Sequence, residues 1–219
     1  MISYPPRMVG LVPVVLKRLQ DGLDGNLYYH GLHHTCDDVL PAVDRICQGE
    51  GVAPSDRELV LVAALFHDAG FLERYNGNEV IGARIAAEML PEWGYSSPEI
   101  ERVLDLILAT ELHEVDGVLL QVPGADALKR ILCDADLDNL GREDFFKVSD
   151  NLRREIEERG RTMVDLEWFS RQVLFLSQHR WFTETQRKAR EECKARNLVE
   201  LHGILAHAST GYRRQSIVD

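Results

Sequence analysis

The chain has 219 residues, of which 45% are hydrophobic and 28% are charged, and this ordinary globular composition excludes a disordered or fibrous protein. Lys and Arg number 25 against 36 Asp and Glu, and the resulting net charge of −11 disfavours nucleic acid as a partner. The longest apolar stretch, 59–66, is too short to span a bilayer. Since the N-terminus also lacks the pattern of a signal peptide, we expect a cytoplasmic protein with no membrane partner.

Helical periodicity, interrupted by Gly and Pro, recurs along the chain. Ser55 and Glu58 have capping-box spacing and predict the start of an apolar helix that runs to Phe66. Ser97 as a cap and Pro98 at the first helical position predict another start. The further predicted helices are 126–140 before a left-handed Gly141, 143–159 ending at Gly160, 165–178, and 183–206.

No segment alternates apolar and polar residues for long enough to predict a strand. We therefore expect an all-α bundle of roughly seven or eight helices. The four cysteines follow no paired spacing, which predicts reduced, mostly buried thiols: Cys36, Cys47, Cys133 and Cys193.

Three groups of polar residues are poorly explained by packing. The first group has three histidines in five positions: His30, His33 and His34. The second group, His67 and Asp68, directly follows the apolar helix. The third group, Asp134 and Asp136, is acidic within a helix that is otherwise apolar. A buried carboxylate is costly unless a cation or strong hydrogen bonds compensate it. A divalent metal is one solution, and a His–Asp pair facing a solvent cleft is the other. Two imidazoles and two carboxylates suit Mn²⁺, Fe, Co²⁺, Ni²⁺ or Zn²⁺.

The order His, His-Asp, Asp along the chain resembles that of the HD superfamily of metal-dependent phosphohydrolases. The resemblance implies a helical fold, a metal-activated water and one ion rather than two, with His34, His67, Asp68 and Asp136 as ligands. It implies one domain over 1–219, in which a metal-binding core spans about 28–142 and C-terminal helices at about 143–207 pack on it.

Other segments are similar to related families. Residues 29–37 resemble the Tyr-His-Asn-x-x-His-Ala-x-Asp run of cyclic-nucleotide phosphodiesterases, in which the first His is the general acid; here that residue is His30, although Gly31 and Thr35 depart from the pattern. The bacterial group of predicted metal-dependent HD-superfamily phosphohydrolases is resembled at Phe66-His67-Asp68-Ala69, Asn78-Glu79 with Gly82-Ala83, Ala109-Thr110 with His113, Asp134-Ala135-Asp136-Leu137 before Leu140-Gly141, and Ala189-Arg190 with Ala195-Arg196-Asn197-Leu198.

Several assignments stay open between two interpretations. Asp134 and Asp136 point about 200° apart on a helix, so they cannot both face the same metal in the same way. In the HD superfamily, which the sequence resembles, the ligand Asp is commonly followed one turn later by an apolar residue, and Leu140 after Asp136 fits that pattern. Glu79 is either a helix-start carboxylate or a catalytic residue of the cleft. His113 either meets a helix dipole or binds phosphate or a second metal. Substrate or supporting roles compete with surface or structural ones at His33, Asp37, Asp38, Arg130 and Arg142.

The sequence predicts a hydrolase that cleaves a phosphoester or phosphoanhydride bond of a small molecule, and the resemblance favours a nucleotide. One alternative is a di-iron oxygenase of the HD type, for which Glu79 and His113 would be the additional ligands. The other is a non-catalytic ligand-sensing module.

Overall fold

A computed structural model describes the backbone of residues 2–215 and the side chains of residues 2–209. Over these residues the chain forms nine α-helices and one two-stranded sheet. The helices are α1 (Pro6–Gly22), α2 (Leu40–Gly49), α3 (Pro54–Phe66), α4 (Asn78–Met89), α5 (Ser97–Leu108), α6 (Ala127–Asp136), α7 (Phe145–Glu158), α8 (Asp165–Gln178) and α9 (Glu184–Gln215). The predicted all-α class is confirmed. No described helix is both long and apolar enough to traverse a membrane.

Helix α3 is the centre of the main core. Every residue from Val60 to Phe66 is fully buried, which accounts for the uninterrupted apolar sequence. Helices α1, α2, α5 and α6 pack around it. The C-terminal end of α3 therefore lies inside the protein, and the residues that follow it are delivered to the interior.

The predicted capping box at the start of α3 is wrong. The helix begins at Pro54 after Ala53, and no side chain caps it. The Glu58 carboxylate accepts hydrogen bonds from Arg7 Nε at 2.8 Å and the Tyr95 hydroxyl at 3.0 Å instead. Proline at the first position already has a helical φ, and these long-range partners engage the carboxylate that a capping box would need.

Helix α5 has the capping box that α3 lacks. Ser96 is the cap, and its backbone and hydroxyl both donate to the Glu99 carboxylate at 2.8 Å. The helix thus begins one residue earlier than predicted, at Ser97, and Pro98 occupies the second position rather than the first.

A β-hairpin between α5 and α6 contradicts the prediction that the chain has no strand. Strands β1 (Leu112–Val115) and β2 (Val118–Gln121) pair antiparallel, with Val115 opposite Val118. Asp116 and Gly117 both have positive φ, at 51° and 80°, as a two-residue hairpin turn requires. Each strand has only four residues, and β1 is exposed along its length. Burial alternates along β2, but its sequence, VLLQ, does not alternate between apolar and polar residues, so it lacks the pattern that predicts a half-buried strand.

The last three helices enclose a second, smaller apolar cluster. Its buried members are Leu137, Leu140, Phe145, Leu176, Trp181 and Leu201. Helix α8 has the predicted bounds, α7 starts two residues late, and α9 runs well past the predicted end at 206. Helix α6 ends at Asp136 and a 3₁₀ turn, Asp138–Gly141, completes the predicted segment.

Gly141 does not adopt the predicted left-handed conformation, whereas Gly160, with φ of 83°, does. Position 141 needs a residue without a side chain because α9 passes close to it. A Cβ there would lie 2.5 Å from Arg190 Cβ.

Candidate metal centre

His67 is the residue at which α3 ends. Its ring is 1% exposed, and Nδ1 lies 2.8 Å from the Ala64 carbonyl oxygen, to which it donates. That bond leaves Nε2 with a free lone pair. Nε2 is 3.2 Å from Asp68 Oδ2 and 3.5 Å from Asp136 Oδ1.

His34 comes to the same point from a different element. A π-helical turn, His34–Val39, precedes α2, and the His34 side chain is 3% exposed. Its Nε2 is 3.1 Å from Asp136 Oδ1 and 3.7 Å from Asp68 Oδ2. Its other ring nitrogen, Nδ1, lies 3.8 Å from the Asp38 carboxylate. The π turn is a local widening that often occurs at functional sites.

Four atoms from three parts of the chain thus converge: His34 Nε2, His67 Nε2, Asp68 Oδ2 and Asp136 Oδ1. The ligand atoms of His34, His67 and Asp68 lie within 4.8 Å of one another, close enough to bind one metal ion. Asp136 adds an oxygen at 3.1 and 3.5 Å from the two histidines.

The fit of this group to a cation is visible in its unpaired atoms. His67 Nε2 and Asp68 Oδ2 are both buried and have no hydrogen-bond partner among the described residues, although they are only 3.2 Å apart. Two lone pairs facing each other at this distance repel, so a positive charge, either a proton on His67 or a cation, is needed between them. Two nitrogen and two oxygen donors suit a divalent transition metal.

The pKa values follow the same electrostatics. Burial lowers the pKa of His34, but hydrogen bonding to Asp136 and Asp38 outweighs it and raises that pKa to about 9. Burial raises the pKa values of Asp68 and Asp136, and the adjacent histidines outweigh it and lower both. The group therefore favours positive charge at its centre.

Asp134, the alternative ligand, lies outside this group. Its carboxylate is fully buried on the opposite side of α6. There it accepts hydrogen bonds from the Phe182 backbone N–H at 2.9 Å and from the N–H and hydroxyl of Thr183, each at 2.7 Å. Asp134 joins α6 to the segment that enters α9.

His30 lies beside the centre, in the loop before the π turn, and does not share a helix with His34. The two ring centroids are 6.2 Å apart, and the His30 ring stacks on Phe71 at 4.3 Å. His30 Nδ1 is 2.6 Å from Glu155 Oε1 in α7. Since Nδ1 is engaged, Nε2 is the ring nitrogen left free.

Glu155 is the functional candidate that the sequence analysis missed. It is fully buried and accepts hydrogen bonds from the backbone N–H groups of Tyr29 and His30, the His30 ring and the Tyr75 hydroxyl. Its position between Leu152 and Ile156, on the apolar stripe of a predicted helix, was the available signal.

Glu79, in the first turn of α4, lies close enough to interact electrostatically with Asp68, Asp136 and Glu111. Partial burial raises the pKa of Glu79, and these three negative charges raise it further. Glu79 is thus a helix-start residue whose carboxyl group is influenced by the charges of Asp68 and Asp136.

The other predicted neighbours are more distant or otherwise engaged. His33 and Asp37 are exposed, and so is His113 on β1. The Arg130 guanidinium donates to the Gly124 carbonyl oxygen at 2.7 Å.

Arg142 forms ion pairs with Asp38 and Asp144, so its guanidinium is not free to bind phosphate. It supports Asp38, whose carboxylate lies 3.8 Å from His34 Nδ1.

Comparison with known families agrees with this geometry. Residues 38–138 match the model of the HD domain family, and the matched segment contains His67, Asp68 and Asp136. A search of curated proteins finds none that matches the chain. HD domains bind divalent metals, and most are metal-dependent phosphohydrolases. Residues 38–138 of this chain are therefore an HD domain.

Proposed function

We propose that this protein is a metal-dependent phosphohydrolase that cleaves a phosphoester or phosphoanhydride bond of a small molecule. The observation that carries the proposal is the convergence of His34, His67, Asp68 and Asp136 on one point, beside a histidine held by a buried carboxylate. These four residues would hold one divalent ion of the Mn, Fe, Co, Ni or Zn type. Such an ion supplies a Lewis acid for phosphoryl oxygens and lowers the pKa of water.

His30 is placed to handle the leaving group. Glu155 accepts from Nδ1, which orients the imidazole and leaves Nε2 as the atom that gives a proton to the departing oxygen. The His30 side chain is 21% exposed, so a substrate can approach that edge of the ring. Glu79 is the second candidate for proton transfer, since its carboxyl group lies near Asp68 without an ion-pair partner among the described residues.

A phosphorylated small molecule, and a nucleotide in particular, is the substrate class we propose. The net charge of −11 disfavours nucleic acid polymers, whereas a metal ion in the cleft attracts a small phosphate locally. We place this activity in the cytoplasm. The oxygenase alternative needs Glu79 and His113 as additional ligands, and His113 is exposed on the hairpin.

The test combines metal analysis with a substrate screen. Purified protein is assayed for bound transition metals, and nucleotides and sugar phosphates are then screened for phosphate release. His67→Ala should lose metal and activity together, whereas His33→Ala, an exposed neighbour of His34, should keep both. Metal at full stoichiometry in His67→Ala would contradict the site. Phosphate release that persists without oxygen supports hydrolysis, and turnover that requires oxygen refutes it.

A further inference from the structure

Gln121, the last residue of β2, makes a buried contact with the metal centre that no sequence pattern indicates. Gln121 is 6% exposed. Nε2 lies 2.6 Å from Asp136 Oδ2 and 3.0 Å from the Thr110 carbonyl oxygen.

These partners settle the orientation of the amide. A carboxylate and a carbonyl oxygen are both acceptors, so the group between them must be the NH₂ and not the oxygen. Both of its protons are then used, one on each acceptor. Gln121 therefore ties the carboxylate of Asp136 to the backbone at the C-terminal end of α5.

The consequence for Asp136 is that its two oxygens have different surroundings. Oδ2 is occupied by Gln121, while Oδ1 lies at 3.1 Å from His34 Nε2 and 3.5 Å from His67 Nε2. Oδ1 is therefore the oxygen that faces the two histidines, and Oδ2 is the one that Gln121 binds. The partner is also neutral, so it orients the carboxylate without reducing its charge.

We infer that Gln121 is a positioning residue that holds Asp136 as a one-oxygen ligand and thereby increases the affinity of the site for its metal. This inference rests on the metal site of the proposed function. The hairpin, exposed along β1, then has a role in the centre: its second strand delivers this amide to the ligand.

The test measures metal binding directly, in Gln121→Met and Gln121→Glu. Met keeps the approximate length and volume but removes the donor, and Glu keeps the shape but replaces the donor with an acceptor. Metal-free protein is titrated with Co²⁺ or Zn²⁺ by calorimetry, and the visible spectrum of the Co²⁺ form is recorded. We expect affinity to fall about 10- to 100-fold in both variants, as is typical when a partner of a ligand is removed. The Co²⁺ bands should also change, because Asp136 is free to bind through both oxygens.

Thr110→Val is the matched control. It removes the hydroxyl that donates to the Ile107 carbonyl oxygen at 2.9 Å, at the base of the same hairpin, and leaves the Thr110 carbonyl in place. It should keep the wild-type affinity and spectrum. An equal loss in Thr110→Val would show that any disturbance of the hairpin weakens the site and would overturn the inference.

Wild-type affinity and an unchanged Co²⁺ spectrum in a folded Gln121→Met protein would also overturn it. If that variant does not fold, the same result in Gln121→Glu does so. A wild-type chain that binds no metal would overturn both this inference and the proposed function. Binding by the wild type with unaltered variants would overturn this inference alone.

Discussion

Glu155 and His30 are 125 residues apart in sequence, and their side chains meet at 2.6 Å. The same carboxylate accepts the backbone N–H groups of Tyr29 and His30 at 2.8 and 3.0 Å and the Tyr75 hydroxyl at 2.9 Å. Burial raises the pKa of Glu155, but these donors outweigh it and lower that pKa, so the carboxylate stays ionised. Helix α7 therefore orients His30 through a fully buried carboxylate.

Glu155→Gln should lower kcat by about 10²-fold and leave KM nearly unchanged, because the buried side chain cannot touch substrate but orients the proton donor. The measurement compares phosphate esters with a p-nitrophenol and an alkanol leaving group. The alkanol ester should lose more, because alkoxide needs the proton. Glu158→Gln, at an exposed position of the same helix, is the control. Equal losses for the two esters would contradict the assignment of His30 as the acid.

Substitution of Asp134 should affect stability, whereas substitution of Asp136 should affect metal binding. Asp134→Ala removes the acceptor of two backbone N–H groups and should cost about 2–4 kcal/mol in the free energy of unfolding. At urea concentrations below its unfolding transition, the Asp134→Ala variant should still bind metal. Asp136→Asn should lose metal and keep its fold. Urea unfolding and metal analysis of both variants measure this, and the opposite pattern would make Asp134 the ligand.

Gly70→Ala should strongly destabilise the fold. Gly70 lies in the 3₁₀ turn Ala69–Leu72, directly after the His67-Asp68 pair, and a Cβ there would lie 1.8 Å from the Asn78 carbonyl oxygen. We expect a loss of about 3 kcal/mol in the free energy of unfolding, since backbone must move. Gly25→Ala is the control, because nothing lies within 4 Å of its added Cβ. Denaturant unfolding measures both, and similar midpoints would show that the turn yields easily.

His179 should make the fold sensitive to acid. It is 4% exposed, and neither ring nitrogen has a hydrogen-bond partner within the described part of the chain. Burial lowers its pKa from 6.5 to about 3, with help from the positive charges of Lys194 and Arg180. The unfolded chain therefore binds a proton between pH 6.5 and 3 that the folded protein excludes, so stability falls as pH falls through this window.

Between pH 7 and pH 5, this one histidine should lower the free energy of unfolding by about 2 kcal/mol. The loss is roughly 1.4 kcal/mol for each pH unit below 6.5. His179→Phe cannot take up the proton, and it places an apolar ring beside Trp181 and Phe175. The difference between its urea midpoints at pH 7 and pH 5 should be smaller than that of the wild type. An identical difference would show that His179 opens to solvent before it is protonated.

The fold was predictable where local patterns decide it. The apolar run at 59–66 predicted a buried central helix, and α8 begins and ends where its sequence indicated. Predictions failed where a longer-range partner competed. Glu58 has the spacing of a capping residue, yet Arg7 and Tyr95 bind its carboxylate. Gly141 has the place of a helix C-cap, yet the passage of α9 explains its small size.

The candidate ligand residues and their order were predictable from the sequence, because His67-Asp68 after an apolar helix and the acidic pair at 134 and 136 are local features. The tertiary structure established that Asp136 faces the centre and that Asp134 binds the segment before α9, since two positions on one helix point to different neighbours. It alone brought Glu155 to His30 and Gln121 to Asp136. A hydrogen bond between residues distant in sequence depends on how helices pack, and no local periodicity records that contact.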